Sequence, residues 1–426
     1  MVSEANANDF SKQNCENPLR VPMIRFQGFT DDWIQCKLGE LYSIYSGQTP
    51  YRGDEDNFLN PTTAWIKTTD LNNSSIISND ENISDKGKEK LRILPINTVL
   101  VAMYGGFNQI GRTGMLTYPA TINQAISALP PIDDVDSYFL ITELNHRVDD
   151  WKNIAASSRK DPNITKKDVE NFALKYPKIE EQTAIGNFFH TLDDAIHNHQ
   201  QKLNCLRELK KGYLQQMFPQ DGETVPKVRF DGFTGDWTQQ TLSEIAEHFE
   251  YGLNAAAKDF DGVHKYIRIT DINDDLRTFD ESNLTSPDIN FSDAENYLLK
   301  LGDVLFARTG ASVGKTYIHR DDNGLVYFAG FLIRARLSAN CDKEFVYQNT
   351  LTERYNTFIK IMSQRSGQPG VNAQEYASFS LGIPSLQEQT TIGAFFLSID
   401  KQIAAQAQKL EQLKQLKAAY LQKMFI

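Results

Sequence analysis

Two glycine-rich segments carry the most suggestive chemistry in this chain. Residues 310–316 read GASVGKT and residues 106–113 read GFNQIGRT. A nucleotide-binding P-loop needs four residues between its glycines and a lysine that holds the phosphates. The later segment has the lysine, Lys315, but only three intervening residues. The earlier one has the spacing, but Arg112 stands where the lysine belongs. Nucleotide hydrolysis is therefore not expected. A loop that exposes backbone amides and one basic side chain can touch a DNA phosphate, and Arg308, just before the second loop, can add to it. A tight strand-to-strand turn accounts for the same residues equally well.

Two further polar segments occupy matching places. SSRKDPN at 157–163 supplies Arg159, Lys160 and Asn163, and SQRSGQPG at 363–370 supplies Arg365 and Gln368. These residue types recognise guanine and adenine edges. Gln48 and Thr49 lie in SGQTP at 46–50, and Tyr251 and Asn254 lie in YGLN at 251–254. All twelve are candidate DNA contacts; a solvated surface loop is the plain alternative. No catalytic constellation is visible. His197 and His199 are two apart on a helical pattern and cannot share a face, so no metal pair is expected. Cys15, Cys36, Cys205 and Cys341 have no close spacing, which excludes a CxxC zinc site and a disulfide scaffold.

The elements that position these residues come from a duplication. Residues 21–41 and 225–245 share 12 of 21 positions, and residues 181–218 and 388–425 share 20 of 38. A unit of about 200 residues thus occurs twice. Between the matched segments lie two diverged inserts, at roughly 42–179 and 246–386. Their β-branched and aromatic runs, at 64–67, 98–103, 266–270, 304–307 and 331–337, read as strands. Helical stretches fall near 138–155 and 344–363. Each insert is expected to be a strand-rich α/β (α+β) domain.

The segments after Glu181 and Glu388 read as long amphipathic helices of period 3.5. Their seams are Ile185, Phe189, Leu192, Ile196, Leu203 and Leu206, and Ile392, Phe396, Ile399, Ile403, Leu410 and Leu413. Both seams are interrupted alike, by His199 and Gln406 and by Lys210 and Lys417. A helix of this length needs a partner, and its own copy is at hand. A pseudo-twofold would pair the two antiparallel, set His199 against Gln406, and carry the inserts to opposite ends of a rod. The expected organisation is a polar tail (1–20), a first domain (21–179), a first helix (180–218), a linker (219–224), a second domain (225–386) and a second helix (387–426).

The net charge is −11, which alone argues against nucleic acid. The charge is uneven, however: residues 152–178 hold seven basic and three acidic side chains. The polar start of the chain has no secretory leader pattern, and no apolar run is long enough to span a membrane. Reduced thiols then point to a cytoplasmic protein.

RFxGFTxDW at 25–33 and 229–237, EQTxIGxFF at 181–189 and 388–396, and KLxxLxxLKxxYLQxMF at 202–218 and 409–425 together resemble the specificity subunits of type I restriction–modification systems. The resemblance covers nearly the whole chain from Val21. It implies two target recognition domains, each reading half of a bipartite double-stranded DNA site, and an antiparallel coiled coil that sets their spacing. It further implies docking of two modification (methyltransferase) subunits, with restriction subunits joining to make the nuclease. The specificity subunit itself is then non-catalytic and holds no cofactor or metal, while S-adenosylmethionine, ATP and Mg belong to its partners. A coiled-coil adaptor whose inserts bind protein is the reading from a different class. Exchange of residues 42–179 for a relative's insert should change one half of the methylated target and leave the other intact. Sequencing of the methylated sites checks this, and loss of both halves would contradict modular reading.

Overall fold

The computed structural model describes residues 2–4, 21–106, 108–156, 163–321, 324–364 and 369–426. The chain falls into two compact units: Met1–Asn198 with Leu410–Ile426, and His199–Lys409. The two long helices run Ile179–Gln216 and Leu386–Met424. Each unit therefore holds the front of one long helix and the back of the other.

In the first unit a five-stranded sheet has the order Tyr45–Ser46, Ile126–Leu129, Val99–Ala102, Thr113–Leu116, Ser74–Ile76. Its pairs are antiparallel except the last, which is parallel. Val99–Ala102 is buried at all four positions, as its continuous apolar run requires of a strand covered on both faces. In the second unit the corresponding sheet has the order Ala246–Tyr251, Leu332–Leu337, Val304–Ala307, Thr316–Ile318. Parallel pairing also joins His264–Ile267 to Leu325–Phe328. The helices fall where periodicity places them, at Ser137–His146 and Val148–Ala156, and at Lys343–Asn349 and Glu353–Met362. The strand-rich α/β character expected of the inserts is present in both units.

A short antiparallel ribbon closes the base of each insert: Ile34–Lys37 with Ala173–Tyr176, and Thr238–Thr241 with Ser380–Ile383. The duplicated motifs lock this base onto the helices. Arg25 grips Glu181 through two 2.6 Å bonds, from Nε and Nη2. Arg229 grips Glu388 in the same way at 2.7 Å. Both carboxylates are buried, and a bidentate guanidinium satisfies them with fixed geometry. The next residue, Gln182, donates Nε2 to the Pro177 carbonyl and accepts from the Asp136 amide; Gln389 does the same with Pro384 and Asp342. Asp136 and Asp342 in turn cap the helices that follow them. A Cβ on Gly186 would lie 2.4 Å from the Asp136 Oδ1, and one on Gly393 2.3 Å from the Asp342 Oδ1. The glycine of EQTxIG is thus a place where insert and long helix touch closely.

Aromatic residues fill the junction. In the first unit Trp33, Phe139, Phe189 and Phe425 pack edge-to-face or tilted, at 5.4–6.2 Å between centroids. Trp237, Phe345, Phe396 and Phe218 repeat the cluster in the second unit at 5.5–6.3 Å. Phe425 and Phe218 come from the ends of the long helices, so the Met-Phe end of one helix completes the core around the start of the other.

Within each unit the helix segments run antiparallel. In the second unit His199 Nδ1 lies 2.7 Å from Gln406 Oε1, Lys210 bonds Asp400 at 2.6 Å, and Tyr213 packs on Phe395. In the first unit Lys417 bonds Asp193 at 2.5 Å and Phe188 packs on Tyr420. The lysines that interrupt the apolar seams are therefore each paired across the helices with an aspartate. Burial pulls the Lys210 ammonium below its usual value, against the attraction of Asp400. Of the seam residues, Ile185, Phe189, Leu192, Leu203, Ile392, Phe396, Ile399, Ile403 and Leu410 are buried; Ile196, Leu206 and Leu413 are half-buried.

One buried acid makes the first unit pH-sensitive. Glu143, on the helix Ser137–His146, is fully buried, and burial pushes its carboxyl up to about 8, only partly offset by Arg147 and Lys175. A raised acid favours the fold while protonated. Its contribution is complete below the ordinary carboxyl value near 4.5 and is lost as pH rises towards about 8. Glu143→Gln should flatten the fall in thermal midpoint over that range and raise the midpoint at its alkaline end. Parallel pH curves for variant and wild type would contradict this.

Candidate nucleic-acid interface

A glycine sets the same local geometry in both units. A Cβ on Gly252 would lie 2.2 Å from the Ala329 carbonyl oxygen, and one on Gly47 1.9 Å from that of Ile122. Neither backbone could approach so closely with a side chain. The carbonyl of the following residue is capped by an aromatic donor: the Tyr266 hydroxyl donates to Leu253 at 2.9 Å, and the Trp65 indole to Gln48 at 3.2 Å. These close approaches hold open the backbone beyond them.

In the second unit the result is a groove of about 650 Å3. Tyr251, Asn254 and Arg308, three of the sequence candidates, meet there, with Arg268, Thr270 and Phe331. Tyr251 is 40% exposed and Phe331 62%. Arg308 lies over the Tyr251 ring, 5.1 Å from its centroid, a cation–π contact that holds the guanidinium plane. The Tyr251 hydroxyl accepts from the Ala373 amide at 3.1 Å. Arg268 is committed: its Nε and Nη2 donate to Asp271 at 2.8 and 2.9 Å.

The equivalent place in the first unit is built differently. Gln48 and Thr49 are exposed there, and the Thr49 hydroxyl donates to Gln124. The position of Arg308 is taken by Met103, which is buried. The match is structural: Ile164 N donates to the Met103 carbonyl at 3.1 Å, as Val371 N does to that of Arg308 at 2.9 Å. Phe331 is matched by Ala125, whose carbonyl accepts from Met103 N as Phe331's does from Arg308 N.

The glycine-rich loops connect antiparallel strands. The element after the second is the strand Thr316–Ile318, so no helix N-terminus faces the loop as a P-loop requires. Lys315 departs from its expected role. It is buried, and its Nζ donates to the Ile272 carbonyl at 2.9 Å and to that of Ile269 at 3.5 Å, with Asp274 at 2.5 Å. An ammonium so enclosed is not open to a phosphate. Arg112, half-buried, reaches the corresponding Leu71 carbonyl at 3.5 Å. Both basic residues thus tie their turn to the segment after the neighbouring strand. Arg159, Lys160, Arg365 and Gln368 lie outside the described residues. Asn163, half-buried, borders the first of these segments, and Pro369 and Gly370, at the edge of the second, bond to Gly310 and Thr309 beside Arg308.

Sequence reasoning missed Arg268 and Phe331. For Phe331 there was a signal: an aromatic directly after Gly330, next to a strand run. Among the described residues no cluster of metal-ligating side chains occurs, and no helix is long and apolar enough to cross a membrane.

Lys315→Met should lower stability by about 1–3 kcal/mol, because it takes the Lys315 donor from the carbonyl of buried Ile272, while the salt dependence of DNA binding stays unchanged. Thermal unfolding and a salt titration check this. Intact stability with a salt slope reduced by about one would mark a phosphate contact instead.

The family profile described as "Type I restriction modification DNA specificity domain" matches residues 30–208 and again residues 234–415. The chain is 22% identical over 268 residues to the type I restriction enzyme MjaVIII specificity subunit of Methanocaldococcus jannaschii, covering 60% of this chain and 62% of that one. It is 22% identical over 203 residues to the EcoR124I/EcoR124II specificity subunit of Escherichia coli, covering 46% and 50%. The matches thus span between half and just under two thirds of these relatives. In fold it is similar to the crystal structure of a type I restriction–modification S subunit from M. genitalium, with a TM-score of 0.70 at 15% identity over 95% of this chain and 99% of the other.

Proposed function

Because the chain belongs to the type I restriction modification DNA specificity family, we propose that it is the sequence-reading subunit of a type I restriction–modification complex. Each unit reads one half of a bipartite, asymmetric double-stranded DNA site. The long helices serve as the dock for two modification subunits, which restriction subunits join. The chain is non-catalytic in this reading: S-adenosylmethionine, ATP and Mg are held by its partners, and the complex works in the cytoplasm.

One observation carries the reading. The specificity domain occurs twice in one chain, and its two copies offer different chemistry at equivalent places: Arg308 and exposed Phe331 in one, and exposed Gln48 and Thr49 over a buried Met103 in the other. Sequence information is carried by such groups at base edges, not by phosphate contacts. Two unlike readers on one chain match an asymmetric site. The net charge of −11 opposes approach to DNA at long range, so tight binding draws on the modification subunits for further phosphate contacts.

The test is co-expression of the chain with its modification subunits in a host lacking other methylation, followed by genome-wide mapping of methylated bases. A split, asymmetric motif is expected. A palindromic motif, or methylation unchanged by removing the chain, would contradict the proposal.

A further inference from the structure

We propose that Arg308 reads a guanine in the half-site of the second unit, and that the first unit has no counterpart to this contact. The inference rests on the DNA-reading function proposed above and adds the base and the residue.

Three features of the groove single out Arg308. Its backbone is fixed on both sides, the amide donating to the Phe331 carbonyl at 3.0 Å and the carbonyl accepting from Val371 N at 2.9 Å. Its guanidinium is held over Tyr251, and Tyr251 is itself tied by its hydroxyl to Ala373. Arg268, the other cation lining the groove, has its fork closed on Asp271. Among the described residues the Arg308 fork makes no hydrogen bond. It is therefore a planar set of donors, restrained in orientation and left uncommitted at a groove whose rim exposes Phe331.

That is the arrangement guanine requires. Its O6 and N7 are two acceptors on one major-groove edge, and a guanidinium meets both at once, whereas adenine sets a donor beside its N7. A lysine offers the same charge without the fork. In the first unit Met103 replaces the arginine and is buried, while the exposed side chains at the equivalent place, Gln48, Thr49 and Tyr104, are neutral. The two half-sites should therefore differ in their dependence on guanine at this position.

The experiment uses the full chain assembled with its modification subunits and a randomised DNA duplex library, selected and sequenced for wild type, Arg308→Lys and Arg308→Gln. Wild type should require guanine at one position of one half-site. Arg308→Lys should lose about 10- to 100-fold of that preference and keep every other position. Arg308→Gln should move the preference there towards adenine. The other positions of the same half-site report in each case that the second unit is folded. If Arg308→Lys keeps the guanine preference, or Arg308→Gln weakens binding to all sequences alike, Arg308 is a phosphate contact or a bystander and the inference falls. If wild type itself selects no sequence, the function proposed above falls with it.

Discussion

Phe425 and Phe218 are the residues on which the rest of this architecture depends. Each stands at the end of a long helix and is buried against the tryptophan of one duplicated motif and the helix-start phenylalanine of another. Aromatic residues of this size dominate the energetics of the cores they fill. The first unit cannot close its core with contiguous chain, because Phe425 is contributed from far beyond its insert; the second is one run of chain, His199–Lys409, but needs Phe218 from before its insert. The antiparallel course of the helix segments within each unit follows from that requirement. The paired lysines and aspartates, Lys210 with Asp400 and Lys417 with Asp193, then fix register, since a slip would strand a partly buried charge.

The same constraint separates what must stay constant from what can vary. The Arg25–Glu181 and Arg229–Glu388 clamps, the glutamines beside them and the glycines that admit a helix cap all serve the junction between insert and helix. None of those bonds involves Gln48 and Thr49, or Tyr251, Asn254 and Arg308, of which the first four are exposed and Arg308 is half-buried. A surface so placed can change its chemistry without disturbing the helices. The difference between Met103 and Arg308, each directly after the corresponding strand, shows how far two copies have already moved apart.

Much of the frame was legible in the sequence because its signals are periodic and duplicated. The long helices were bounded to within two residues, and the interruptions at His199 and Lys210 gave away polar layers. The aspartates that answer the lysines were not foreseen, because a charge at a flanking helix position looks like solvated surface until its partner is placed. The site was less legible. Lys315 carried the residue type of a phosphate ligand, but its neighbours in space, the carbonyls of Ile269 and Ile272, are more than forty residues away in the chain and fixed by strand pairing. Arg268 was hidden for the same reason. The reading of Arg308, Tyr251 and Asn254 as neighbours needed the glycine-directed approach of Gly252 to Ala329, which no spacing rule predicts.

The most direct measurement of the central claim is hydrogen exchange on the full chain carrying Phe425→Ala. A buried phenylalanine lost from a core costs about 3–5 kcal/mol, and here the cost should fall on the first unit alone. Amides of Val99–Ala102 and Ile126–Leu129 should lose protection, while those of Val304–Ala307 and Leu332–Leu337 keep it. Uniform loss across both units, or unchanged protection in the first, would contradict the claim that a distal helix end completes that core.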